Sequence, residues 1–167
     1  MKRQGRVIII CGGTGRGKST YIKEKIKEKP HLINDIKNEY KRGFTVYEKS
    51  GDREGFMQYV DENCEKMIIV MEEASWYLSH KHYSTTAEKI FVNKYRSENT
   101  YLIVFHSIRK IPLFIYDYAD AMVLFKTKDQ LHRIKNHPQE VLDAFEVVNN
   151  KSIGNKFFNT YIELDDV

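Results

Sequence analysis

The chain is predicted to form an α/β fold, a single doubly wound and mainly parallel sheet with helices on both faces. Three observations predict it. Apolar bursts of strand length alternate with polar stretches of helical length. The bursts are near-continuous apolar runs, as strands covered on both faces require. The 167 residues, 41% of them apolar, suffice for one sizeable core but not two, so residues 1–167 read as one domain.

The elements follow in order. Residues 6–11 form a buried strand, then a Gly-rich turn, then a helix over 18–29 that Pro30 ends. Residues 32–35 form a short second strand with a polar end, and 44–47 a third. A helix over 53–64 carries Phe56, Tyr59 and Val60 on one face. Residues 67–71 are a strongly apolar strand, and 87–95 a helix with Ile90 and Phe91 inward. Strands over 101–105, 121–125 and 158–164 come later. Pro138 suits the first turn of a helix running to about Val148.

Composition bounds the function loosely. Three Pro and nine Gly exclude collagen-like and linker architectures. The 27 basic residues nearly balance 23 acidic ones, and the net +4 permits a nucleic-acid partner without demonstrating one. Cys11 and Cys64 make no C-x-x-C and no disulfide framework, so a reduced, cytoplasmic setting is expected. The apolar run after Met1-Lys2-Arg3 is too short for a signal peptide, and bulky Ile10 opposes a lipoprotein signal at Cys11. Every apolar run falls short of the ~20 residues of a membrane helix, so no membrane segment is expected.

Gly12-Gly13-Thr14-Gly15-Arg16-Gly17-Lys18-Ser19 satisfies G-x-x-x-x-G-K-[ST], a P-loop (Walker A), between a strand and a helix as that motif requires. Glycines let backbone N–H groups face phosphate oxygens, and the helix start at Lys18 adds its dipole. Lys18 then reaches the β- and γ-phosphates of ATP, and Ser19 places its hydroxyl on Mg²⁺. The second acidic site is Glu72-Glu73, at the end of the strand over 67–71. Two adjacent carboxylates at a strand tip must meet solvent or ligand, because burying both is costly. Glu72 suits the Mg²⁺ shell through water, although a shorter Asp is usual there; Glu73 suits polarising the attacking water.

These residues resemble the HerA–FtsK superfamily of P-loop motor ATPases, particularly the small packaging ATPases of viruses and phages. The loop from Gly12 to Thr20 is similar to that family's G-x-T-G-x-G-K-S-T. His31 to Tyr40 resembles its second-strand motif, an Asp followed by Gly or Asn, Glu and Tyr, with Asp35 in the Asp position. Asp35 there either contacts the P-loop and nucleotide or caps a turn. Glu72-Glu73-Ala74-Ser75-Trp76 resembles the motif at the second acidic site. Order and spacing fit down to Arg109. The resemblance implies a RecA/ASCE-like core and a homo-oligomeric ring, pentameric or hexameric, moving double-stranded DNA with ATP and Mg²⁺. A capsid-vertex or packaging partner is also implied. It further implies an Arg donated in trans to a neighbouring subunit's γ-phosphate: Arg96 holds that position, with Lys94 and Arg109 as rivals. The sensor position reads His106-Ser107 where the family usually has Thr-Gln or Ser-Gln, so either residue stands as the sensor.

Weaker signals remain. Trp76, Tyr77, His80, Lys81, His82 and Tyr83, with Lys89 nearby, make a basic, aromatic segment that is either a DNA-facing loop or a solvated one. His80 and His82 lack a third metal ligand at a recognisable spacing. Two rival functions stand beside the motor. A small P-loop nucleoside or nucleotide kinase needs an Arg-rich lid and an acid for the acceptor hydroxyl, and Arg109 and Arg133 are isolated in sequence. A Zot-like phage assembly ATPase usually brings a membrane segment. At this length almost the whole chain is needed for the ATPase core, leaving no room for a nuclease or separate DNA-reading domain.

Overall fold

A computed structural model describes residues 5–78 and 85–164. Its strands are β1 (Arg6–Cys11), β2 (His31–Asn34), β3 (Ile68–Met71), β4 (Thr100–Phe105), β5 (Ala121–Phe125) and β6 (Asn159–Glu163). Its helices are α1 (Lys18–Ile26), α2 (Arg53–Asn63), α3 (Thr85–Val92), α4 (Lys94–Ser97), α5 (Leu131–Ile134) and α6 (Gln139–Lys151). The strands form one sheet in the order β2-β3-β4-β1-β5-β6. All pairs are parallel except β5–β6, which is antiparallel. The carboxyl ends of β1 to β5 therefore share one edge, where ligands bind in such sheets.

Strand side chains alternate between two apolar layers. Val7, Ile9 and Cys11 of β1, Ile69 and Met71 of β3, and Tyr101, Ile103 and Phe105 of β4 pack with Phe56, Ile90, Phe91, Val141, Phe145 and Val148 of the helices. Ile10, Val70, Leu102, Val104 and Val123 face the other way, against Ile22 and Ile26 of α1 and Tyr40. This is the doubly wound arrangement: α1 covers one face, and α2, α3 and α6 the other.

Departures from the expected elements have local causes. Helix α1 ends at Ile26 rather than residue 29, because Pro30 disfavours helical backbone just before it; Lys29 N–H instead bonds Ile26 O at 2.9 Å. Residues 44–47 reduce to one parallel bridge, Ile33 to Val46, on the outer side of β2. The His31 ring takes the Thr45 N–H (3.0 Å), which ends the ladder. The helix expected over 87–95 breaks at Asn93, turning Lys94 inward to Asp120 (2.7 Å) and the Tyr118 carbonyl (2.7 Å). Gly12 sits where β1 meets β5: a Cβ there would lie 2.5 Å from Phe125 Cβ, so only glycine fits without displacing it.

Candidate functional site

The turn after β1 leads to α1 through Gly17, whose φ of +93° suits glycine and aims the first N–H groups of α1 into the loop. Lys18 is buried. Its ammonium has three donors and meets three acceptors: Gly12 O (2.6 Å), Gly13 O (3.1 Å) and His106 Nδ1 (3.2 Å). Burial lowers its pKa. A phosphate oxygen reaching Lys18 must replace one of these acceptors.

β3 ends in the two carboxylates, and the structure gives them different surroundings. Glu72 is buried, which pushes its carboxyl up to about 7 against the hydrogen bond from Tyr40 OH (2.7 Å). Glu73 adopts left-handed backbone (φ 53°, ψ 45°), a conformation costing a side chain roughly 1–2 kcal/mol. That turn sends its carboxylate to His106 Nε2 (2.6 Å) and into an ion pair with Lys37. Burial raises the Glu73 carboxyl, but these two partners outweigh it and hold the group below its ordinary value.

His106 thus bridges Lys18 and Glu73. With Nδ1 accepting from Lys18, Nε2 must carry the proton donated to Glu73, which is the neutral tautomer. Burial, then the Lys18 charge, lowers its pKa and keeps it neutral. Ser107 is engaged elsewhere. Its Oγ donates to Asp129 (2.6 Å), whose other oxygen accepts Ile108 N–H (2.7 Å).

Asp35 caps a turn. Its two oxygens accept the N–H groups of Glu39 (2.9 Å) and Tyr40 (2.8 Å), placing both side chains. Tyr40 holds Glu72, while Glu39 accepts the Ser19 hydroxyl. Sequence reasoning assigned no role to Glu39 or Lys37. Glu39 stood in the motif that follows β2, and both residues lie on the active-site edge.

Ser19, Glu39 and Glu72 line one cavity of about 290 Å³ with the loop residues Thr14 to Thr20. They are hard oxygen donors of the kind Mg²⁺ takes with phosphate and water, and buried Glu72, its carboxyl raised, is a group a cation would relieve. These residues fit Mg²⁺, which would screen charge between phosphate oxygens.

A second cavity of about 520 Å³ adjoins the P-loop at Gly13 and Thr14. Arg16, Arg109, Lys110, Lys126, Lys128 and Arg133 line it, and among the described residues none of the six forms an ion pair. Arg109 and Arg133, isolated in sequence, therefore line one cavity. The lining acid, Asp129, has both oxygens committed to Ser107 and Ile108.

Arg96 is exposed on α4, before β4 begins. The register pairs Thr100 with Arg6 and Phe105 with Cys11, so the length of β4, roughly 16 Å, separates Arg96 from the P-loop edge. Of its rivals, Lys94 is bound to Asp120, while Arg109 lines the cationic cavity. Lys89 pairs with Asp61. Trp76 is half exposed beneath the Arg53 guanidinium, and His80, Lys81, His82 and Tyr83 lie outside the described residues. Among the described residues no helix is long and apolar enough to cross a membrane.

No protein-family pattern and no curated protein matches the sequence. Solved structures do. The genome packaging NTPase B204 from Sulfolobus turreted icosahedral virus 2, in complex with AMP, superimposes with a TM-score of 0.72 at 13% identity, over 97% of this chain and 94% of that one. The chain has the fold of a viral genome-packaging NTPase. B204 from Sulfolobus turreted icosahedral virus, a DNA-packaging ATPase, gives 0.69 at 12% identity over 98% and 94%. The N-terminal domain of zonular occludens toxin from Neisseria meningitidis gives 0.57 at 8% over 97% and 95%. The two kinds of protein that the sequence motifs resemble are thus both found among the fold's neighbours. B204 has also been solved with AMPPCP and ATP-gammaS.

Proposed function

We propose that the chain is a single-domain, Mg²⁺-dependent ATP hydrolase that moves double-stranded DNA, in the setting of viral genome packaging. The observation that carries the reading is the chain of contacts Lys18–His106–Glu73, which joins the phosphate-binding lysine to a deprotonated carboxylate through one neutral imidazole. Gly12 to Thr20 cradle the phosphates and Ser19 and Glu72 hold Mg²⁺. Glu73 orients a water whose oxygen attacks the γ-phosphorus as the bond to the bridging oxygen breaks, releasing ADP and phosphate. His106 is the sensor: a phosphate that draws Lys18 away also frees the imidazole, and Ser107 next to it carries that change to Asp129.

The same geometry disfavours the kinase. Arg109 and Arg133 do converge, but the acid lining their cavity is occupied, leaving no base for an acceptor hydroxyl. Six cations around a concavity, none of them ion-paired among the described residues, focus a positive field and suit the phosphate backbone of DNA. The likeness to the zonular occludens toxin domain supports a second reading, a phage assembly ATPase that moves no DNA.

ATP turnover measured with and without double-stranded DNA decides between them: stimulation by DNA is expected, and turnover indifferent to DNA at every salt concentration rejects the motor. The double variant Arg109→Glu/Arg133→Glu is expected to weaken DNA binding and to lower the log–log salt slope by about 2. An unchanged slope places DNA on another surface.

A ring of five or six copies, in cytoplasm or virion and docked on a capsid-vertex partner, completes the proposal. Arg96, remote from its own nucleotide site, is suited to act only on a neighbour's. Mixing Arg96→Ala protein with Lys18→Ala protein is expected to restore part of the activity that each lacks. Normal hydrolysis by Arg96→Ala alone removes it from the mechanism.

A further inference from the structure

The P-loop cavity has two unlike flanks, and sheet order assigns them. Lys37, Glu39, Glu72 and His106 come from the tips of β2, β3 and β4, all on one side of β1. The other flank belongs to β5 and β6, and there the cavity wall is Phe157, just ahead of β6. Phe157 is 58% exposed, so the ring is open to a ligand entering the cavity. Ring atom Cδ1 lies 3.1 Å from where a Cβ on Gly17 would stand, so the ring rests against the start of α1. The backbone holds it there: Asn155 Oδ1 accepts Phe157 N–H (3.0 Å) and Asn155 O accepts Phe158 N–H (3.1 Å). The next ring, Phe158, packs on the core.

We propose that Phe157 is the stacking platform for the nucleobase, on the flank of the P-loop opposite the hydrolytic groups. The inference rests on the nucleotide-hydrolase reading, which sets the triphosphate's direction. The γ-phosphate end lies toward Glu73 and His106, and the nucleoside end leaves past the first turn of α1 toward β5 and β6. An aromatic face there recognises any base by stacking, without reading its edge. The substrate class is therefore nucleoside triphosphates with weak base discrimination, purines favoured by their larger faces. Lys156 Nζ stands over the ring, 5.6 Å from its centroid, so a stacking base displaces it or takes the other face.

Calorimetric titration of the full chain with ADP, GDP and tripolyphosphate tests this. ADP and GDP are expected to bind wild type within about threefold of each other. Phe157→Ala is expected to weaken ADP roughly tenfold and leave tripolyphosphate unchanged, with an unaltered melting temperature because the ring is exposed. Phe157→Trp is expected to restore ADP binding and to show quenching of the new indole's fluorescence by ADP but not by tripolyphosphate. Equal losses for ADP and tripolyphosphate in Phe157→Ala, or no loss for either, overturn the platform while the nucleotide site stands. If wild type binds none of the three ligands, the hydrolase reading fails and the platform falls with it.

Discussion

Replacing Glu73 by Gln is expected to cut ATP turnover by roughly 10²–10⁴-fold while leaving ATP bound. The substitution keeps the size of the side chain and an oxygen able to accept the His106 Nε2–H bond. It removes the negative charge that pairs with Lys37 and that, in the proposed mechanism, polarises a water. Binding should survive because the groups proposed to meet the phosphates, the N–H donors at the start of α1 and Lys18, stand on a different element. Phosphate release and ATP affinity, measured on the same preparation, separate the two effects. Turnover within tenfold of wild type would show that another group orients the water. Loss of ATP binding would show that Glu73 acts through the Lys18–His106 contact rather than on water. The left-handed backbone at Glu73 strengthens the expectation. A strained conformation persists only where its surroundings over-determine it, and here those surroundings are an ion pair and an imidazole bond aimed at one carboxylate.

The parts of the candidate site that lie in adjacent residues were legible in the sequence alone. The P-loop is eight consecutive residues, the acidic pair two, and the strands are apolar runs whose spacing shows directly. The partners were not legible, because they meet across the fold. His106 reaches Glu73 from 33 residues away, and Lys37 reaches that carboxylate from another strand's loop. Arg109 and Arg133 converge because α5 folds back toward the tip of β4, a placement that no local pattern encodes. The motif around Asp35 was visible, but its purpose was not. Its carboxylate holds backbone, and through Tyr40 and Glu39 that turn positions Glu72 and Ser19. The antiparallel direction of β6 escaped too, since a short strand carries no sign of its direction.

Removing the Asp120 side chain is expected to destabilise the protein by about 3–5 kcal/mol, the range for stranding a buried charge. The Asp120 carboxylate joins three parts of the sheet's amino-terminal edge. One oxygen accepts both Val7 N–H (2.7 Å), at the start of β1, and the Lys94 ammonium (2.7 Å) from α4, while the residue itself leads into β5. The Lys94 side chain is only 9% exposed, and without Asp120 it keeps the neutral Tyr118 carbonyl and the Tyr95 ring but no counter-charge. Asp120→Ala therefore leaves an ammonium short of its counter-charge and Val7 without an acceptor. In a domain of this size the loss lowers the melting temperature by roughly 10 °C. The double variant Lys94→Met/Asp120→Asn removes both charges yet keeps an oxygen for Val7, and should regain most of the loss. Arg96→Ala, two residues from Lys94 but exposed, should stay within about 0.5 kcal/mol of wild type. Urea unfolding of the four proteins decides the matter. If Asp120→Ala costs less than about 1 kcal/mol, the pair is not structural, and Lys94 becomes available as the cation given to a neighbouring subunit. If the full loss appears, any inactivity of Lys94 variants is a failure of the fold's edge, and Arg96 is left as the one exposed cation on α4 for that task.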